Sequence, residues 1–184
     1  MAVPLEREVA VRVLLPNIMK NKLVYIIFLF CFCGSLSFAQ KTLTEVLKKY
    51  NTESVPYMLV DSLKGTIANV VLLDAREENE FKVSHLKNAL FVGYEKFDLQ
   101  KTMKKLPNKN TQIVVYCSLG VRSEDIAEQL KNKGYTKIYN LYGGIFEWKN
   151  RGNRVFSKGI ETNKVHAFSK EWSTWLLKGE KVYE

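Results

Sequence analysis

The stretch IVVYCSLGVRSEDIAEQLKNKG, residues 113–134, decides the fold. Its apolar opening, Ile113 to Tyr116, reads as a buried strand. From about Ser123 to Lys133 it reads as a helix closed by Gly134. Between them lies a tight loop from Cys117 to Arg122. A thiol there faces unpaired N–H groups and the positive end of a helix dipole. Arg122, five positions on, adds a permanent charge. Both influences lower a thiol pKa, so the stretch predicts a thiolate at a strand-to-helix corner.

The same strand-then-helix rhythm extends outward. Residues 42–50 (TLTEVLKKY) carry Leu43, Val46, Leu47 and Tyr50 at helical spacing, with Thr42 and Glu45 as a capping box. Residues 55–60 read as a strand, with a short helix after Asp61. Val70 to Leu73 is a strong strand ending at Asp74 and Arg76. A short helix (residues 77–85), a short strand (89–92) and a helix from Tyr94 to Lys105 follow. Lys137 to Leu141 is a further strand, and residues 142–150 (YGGIFEWKN) make a Gly-led turn into a helix. In the tail, Phe168, Trp172, Trp175 and Leu176 share one helical face, which predicts an aromatic packing helix. The alternation implies an α/β fold: a doubly wound parallel sheet with helices on both faces. Sites in such sheets lie at the carboxyl ends of the strands. Asp74-Ala75-Arg76, the Cys117 loop and Tyr142-Gly143-Gly144 all fall there.

The leader, from Met1 to Ala39, differs from the rest. From Met19 the chain runs through a basic segment, the apolar run LVYIIFLFCFC and a small-residue site before Gln40. This is the anatomy of a secretory signal peptide. Its apolar run is about half the roughly 20 residues that span a bilayer. Met19 is the better start than Met1. The expected product is an exported domain, periplasmic or secreted, over residues 40–184, without stable membrane insertion after cleavage. Cleavage removes Cys31 and Cys33 and leaves Cys117 alone. Lys+Arg falls from 28 to 24 and Asp+Glu from 19 to 17, so the net charge goes from +9 to +7. The lysines are scattered, with no arginine stripe of the kind that binds nucleic acid.

The loop's own chemistry follows from its residues. Backbone N–H groups from Cys117 to Arg122 can converge on the sulfur as an anion nest. Gly120 permits the tight backbone, and Arg122 offers paired donors to an oxyanion. Ser118 can add a hydroxyl, while Leu119 and Val121 border the mouth. Glu124 and Asp125 complement the helix dipole. Neither histidine, His85 or His166, is tied to Cys117 by spacing, so a pre-ionised thiolate must work without a base.

Three motifs together resemble single-domain rhodaneses, which are sulfurtransferases. They are VVLLDAREENEF (70–81) with SHLKNA (84–89), YCSLGVRS (116–123), and YGGIFEW (142–148). The resemblance covers roughly Val55 to Asn153 and implies a rhodanese-like sheet of about five strands. It implies Cys117 as the sulfur-carrying nucleophile and Arg122 as the anion-binding residue. Asp74, Arg76 and Glu80 would hold the strand ends and the loop. Gly143, Gly144 and Trp148 would be turn and packing residues. No cofactor is implied, only a covalent persulfide on Cys117, with a small anionic sulfur donor and a cyanide or thiol acceptor. Two positions depart from the family. Ser118 stands where many catalytic members carry a second arginine, which weakens the case for dianionic thiosulfate. Asn88 stands in place of a glycine.

Three other readings compete. Phosphatases and arsenate reductases resemble C-x5-R, a wider ring than the C-x4-R of this chain. A binding module could carry persulfide without turnover. A thiol oxidoreductase would need a resolving cysteine, which the mature chain lacks.

Overall fold

The computed structural model describes residues 42–106 and 108–183. The leader expected over residues 1–39 lies outside them. Helix α1 (Leu43–Tyr50) forms as the sequence predicts, with Thr42 and Glu45 in a reciprocal capping box. A strand was expected over 55–60, but β1 is only Tyr57–Met58, because helix α2 (Val60–Thr66) already begins at Val60. A 3-10 turn (Ile67–Asn69) leads to β2 (Val71–Asp74), α3 (Glu78–Val83) and β3 (Leu90–Phe91). Asn88 between α3 and β3 has φ 61°. Asparagine tolerates this left-handed turn.

The helix expected from Tyr94 to Lys105 is confined to α4 (Leu99–Met103). The Asp98 carboxylate accepts the Lys101 N–H and starts the helix there. Then come β4 (Ile113–Tyr116), α5 (Arg122–Asn132), β5 (Ile138–Leu141) and α6 (Gly144–Asn150).

Strands β1 to β5 form one parallel sheet in the order β1-β5-β4-β2-β3. Every residue of β4 is buried, as a central strand covered on both faces requires. Alternate side chains enter two cores. Val114 and Tyr116 join Leu72, Leu141 and, from α6, Ile145 and Phe146. Ile113 and Val115 join Leu73, Ile138 and, from α5, Ile126 and Leu130. The chain reaches the β3 edge and then returns to lay β4 between β2 and β5. That reversal opens a crevice at the carboxyl end of β4, where Cys117 follows.

Beyond α6 the sequence reading anticipated no strands. The structure has a hairpin, β6 (Val155–Ser157) with β7 (Ile160–Thr162). Its turn is made by Lys158 at φ 51° and Gly159 at φ 80°. Two positive φ values in succession give the twist that suits a tight hairpin. β8 (Lys164–His166) pairs in parallel with β9 (Glu180–Val182). The aromatic helix expected between them does not form; there is only a 3-10 turn, Trp172–Trp175. Phe168 is in a left-handed conformation at φ 65° and the backbone is extended by Leu176. A residue with positive φ cannot sit inside a right-handed helix, so Phe168 cuts the helical run off before Trp172 and the extended Leu176 ends it.

Candidate active site

Cys117 is 2% exposed and begins the loop between β4 and α5. The Gly120 N–H donates to its Sγ at 3.1 Å. Ser123 Oγ lies 3.6 Å from Sγ, but its single proton goes to Asn140 Oδ1 at 2.7 Å. The Gly120 carbonyl accepts from Asn140 Nδ2 at 2.7 Å and from Asn51 Nδ2 at 2.8 Å. These two amides fix the tip of the loop.

The loop's base is held by α6. Gly143 caps that helix with φ 72°, and Gly144 follows at φ 53°. The first-turn N–H groups, which have no partner inside the helix, reach the loop instead. Ile145 N–H donates to the Cys117 carbonyl at 2.9 Å and Phe146 N–H to the Ser118 carbonyl at 3.2 Å. Trp148 donates its indole N–H to the Arg154 carbonyl and packs in the core.

Arg122, which the sequence sets toward an oxyanion, also has a partner within the protein. Its forked edge meets Glu80, Nη1 to Oε2 at 2.7 Å and Nη2 to Oε1 at 2.9 Å. Ser118 Oγ joins the same network, donating to Glu80 Oε1 and accepting from Arg122 Nη2, both at 3.1 Å. The Glu77 N–H also donates to Glu80. Burial pushes the Glu80 carboxyl up, but the bonds and charge of Arg122, with Arg76 and the Glu77 N–H, outweigh it and hold the group below the ordinary carboxylate value. Burial likewise opposes the charged form of Arg122, and the Glu80 bonds overcome it. Glu80 is presented by α3, and α3 is anchored by Arg76. That side chain, fully buried, bonds Asp74 through Nε at 2.9 Å and Nη2 at 2.6 Å, and donates to the Ser84 carbonyl.

Cys117 lines a cavity of about 210 Å³. Leu119 and Val121 border it, as expected from the sequence. Tyr50, Phe168 and Trp172 complete it, and these the sequence reading had assigned to helix packing. The Phe168 ring lies 4.8 Å from the Arg122 guanidinium carbon. Its backbone N–H donates to His166 Nδ1 at 3.1 Å. His166 is buried, and desolvation holds its imidazole below the usual value even though Glu80 pulls the other way. Glu124 does more than face the dipole: its carboxylate accepts from Ser54 N–H and Thr52 Oγ1. A readable signal for Asn140 existed, since a polar residue inside an apolar strand requires a partner. Among the described residues no three His, Cys, Asp or Glu side chains gather into a metal-binding group.

A family model described as the rhodanese-like domain matches residues 59–151. Thiosulfate sulfurtransferase GlpE of Coxiella burnetii (strain RSA 331 / Henzerling II) is 32% identical over 81 residues, 44% of this chain and 73% of that protein. The tRNA uridine(34) hydroxylase of Salmonella agona (strain SL483) is 33% identical over 101 residues, covering 50% of this chain but only 29% of that protein. Among solved structures, a thiosulfate sulfurtransferase from Pseudomonas aeruginosa aligns with a TM-score of 0.52 at 18% identity, over 66% of this chain and 23% of that one. The rhodanese-like domain of an Anabaena sp. protein gives 0.50 at 21%, over 56% and 80%. At these identities the two structures speak for the fold alone.

Proposed function

The chain belongs to the rhodanese-like domain family, and from that premise we propose that it is a sulfurtransferase working through a persulfide on Cys117. The observation that carries the reading is the Gly120 N–H aimed at the Cys117 Sγ at 3.1 Å, at the mouth of α5. A sulfur with a backbone donor and a helix N-terminus beside it is set up to hold negative charge.

In the first half-reaction the Cys117 thiolate attacks the sulfane sulfur of a donor such as thiosulfate. The donor S–S bond breaks, sulfite leaves with the electron pair, and Cys117–S–S⁻ remains. In the second, cyanide or a thiolate attacks the outer sulfur. The product carries that sulfur away and the Cys117 thiolate returns. Glu80 and Ser118 position Arg122, whose charge lies beside the loop. Asp74 and Arg76 hold α3 so that Glu80 arrives in register. The α6 glycines hold the loop from below. The protein acts after export, as a mature chain beginning at Gln40.

Intact mass spectrometry tests the reading in one measurement. Protein recovered from its native cells is expected to begin at Gln40, and donor treatment is expected to add a single sulfur atom that cyanide then removes. Cys117→Ala is expected to gain none. Sulfur transfer by that variant would falsify the mechanism.

A further inference from the structure

The cavity over Cys117 has a character that a thiosulfate site does not need. Its walls are apolar and aromatic: Tyr50, Leu119, Val121, Phe168 and Trp172. Arg122 supplies the cationic side chain among the lining residues, and the Glu80 carboxylate neutralises it through both oxygens. Lys49 lies over the Tyr50 ring at 5.0 Å, a cation outside the lining. A dianion moved into such walls loses its hydration and finds no unpaired side-chain cation in return.

The aromatic wall is also held at a cost. Phe168 is left-handed, at φ 65°, and the Ser169 N–H closes onto the Ala167 carbonyl at 2.8 Å. This is the strained form of the three-residue turn, rare for a bulky residue. It leaves Phe168 46% exposed at the mouth, with its ring over Arg122. Tyr50, 51% exposed, packs against Trp172 with ring centroids 5.7 Å apart. Strain kept to present an exposed ring points to use. A dry apolar cavity of roughly 150 Å³ accepts a benzene ring. The one here is about 210 Å³.

We propose that this pocket selects a sulfane-sulfur donor with an apolar body and no more than one negative charge, as in an aryl thiosulfonate or an organic persulfide. The inference rests on the sulfurtransferase reading above. For an aryl thiosulfonate, the Cys117 thiolate attacks the terminal sulfur and the S–S bond breaks. An aryl sulfinate leaves with the electron pair, and Cys117–S–S⁻ remains. The charge balances, with two negatives before and two after. For an organic persulfide R–S–SH, the products are Cys117–S–SH and R–S⁻.

The test compares thiosulfate, methanethiosulfonate and benzenethiosulfonate as donors. Each rate of sulfur loading on Cys117 is followed by intact mass and divided by the donor's rate with a small free thiol. Benzenethiosulfonate is expected to exceed methanethiosulfonate by about 10-fold or more, the worth of burying an aromatic ring, with thiosulfate slowest. Phe168→Ala and, independently, Trp172→Leu are expected to bring the aryl-to-methyl ratio down to about 2. Val121→Lys, which adds an unpaired cation at the mouth, is expected to raise thiosulfate loading relative to the other two. Equal normalised rates, or a thiosulfate preference that these variants leave alone, would overturn the inference while the sulfurtransferase reading stands. Loading from none of the three donors would end that reading and the inference with it.

Discussion

A Cβ added at Gly144 would collide with the Cys117 carbonyl oxygen and lie 2.7 Å from the Ser118 carbonyl. These are backbone atoms of the loop itself and have no rotamer in which to escape. Gly144 also has a left-handed φ of 53°, which adds its own penalty for any side chain. Gly144→Ala is therefore expected to lower stability by about 3 kcal/mol in urea unfolding. It is also expected to slow sulfur loading on Cys117, because the Ile145 N–H would move off the loop carbonyl. A variant as stable and as active as the parent would mean that the loop does not depend on this contact. At this scale the sequence was most readable where function concentrates in a local motif. Cys117, Gly120 and Arg122 belong to one short loop, so their proximity needs no tertiary knowledge. The Glu80 fork on Arg122 spans 42 positions; the resemblance implies that Glu80 holds the loop, but nothing local in either segment gives the pairing with Arg122. For that reason Arg122 reads from sequence as an open anion clamp, whereas in the fold its Nη1–Nη2 edge is already engaged by Glu80 and Ser118.

Elements were legible in proportion to their length and caps. Helix α5 and the capped α1 carry enough turns for the helical period to stand out. Strands as short as β1, β8 and β9 carry almost no period. The aromatic tail shows how a period misleads. Phe168, Trp172, Trp175 and Leu176 are spaced as on a helix, yet they belong to a strained turn, a 3-10 turn and an extended residue. What gathers them is the β8–β9 pairing and the cavity beside it. The link from β8 to this tail is the Phe168 N–H on His166 Nδ1, and it needs that nitrogen unprotonated. Burial lowers the folded imidazole pKa, against the pull of Glu80 and with the push of Arg76 and Arg122. The unfolded chain takes up its proton near the ordinary value of about 6.5. Below that pH the unfolded state binds a proton that the folded state resists, so stability falls as acid is added. His166→Leu is expected to cost about 1 kcal/mol at about pH 8, the loss of one part-buried hydrogen bond. It is also expected to flatten the wild-type decline below about pH 6.5. Urea titrations at several pH values check both, and an unaltered acid limb would assign the decline to other groups.

At the scale of the whole molecule, the sheet gathers its polar residues at one end. Asp74 closes β2, Cys117 follows β4 and Gly143 follows β5, so an apolar core below supports a layer of buried charge above. The alternation of strands and helices announced this arrangement, because parallel strands place all their carboxyl ends together. It did not announce how the charges in that layer cancel. Asp74 takes Arg76 and Glu80 takes Arg122, which leaves the sulfur beside paired ions and aromatic rings. Glu80→Gln probes that balance, since it keeps the size of the side chain and removes its charge. The Arg122 side chain is only 14% exposed. In the variant it would lose its carboxylate partner, at a cost of about 3 kcal/mol. The wild-type contribution of Glu80 is present above the ordinary carboxylate pKa of about 4.3. It is lost as pH falls through the lower folded value. The variant is expected to lack that step in its stability profile. Its freed guanidinium would also stand beside Cys117 as an unpaired cation. Thiosulfate loading is therefore expected to rise relative to benzenethiosulfonate even as the protein becomes less stable. An unchanged donor ratio in folded Glu80→Gln protein would show that the Glu80 carboxylate holds the loop in place without setting its charge.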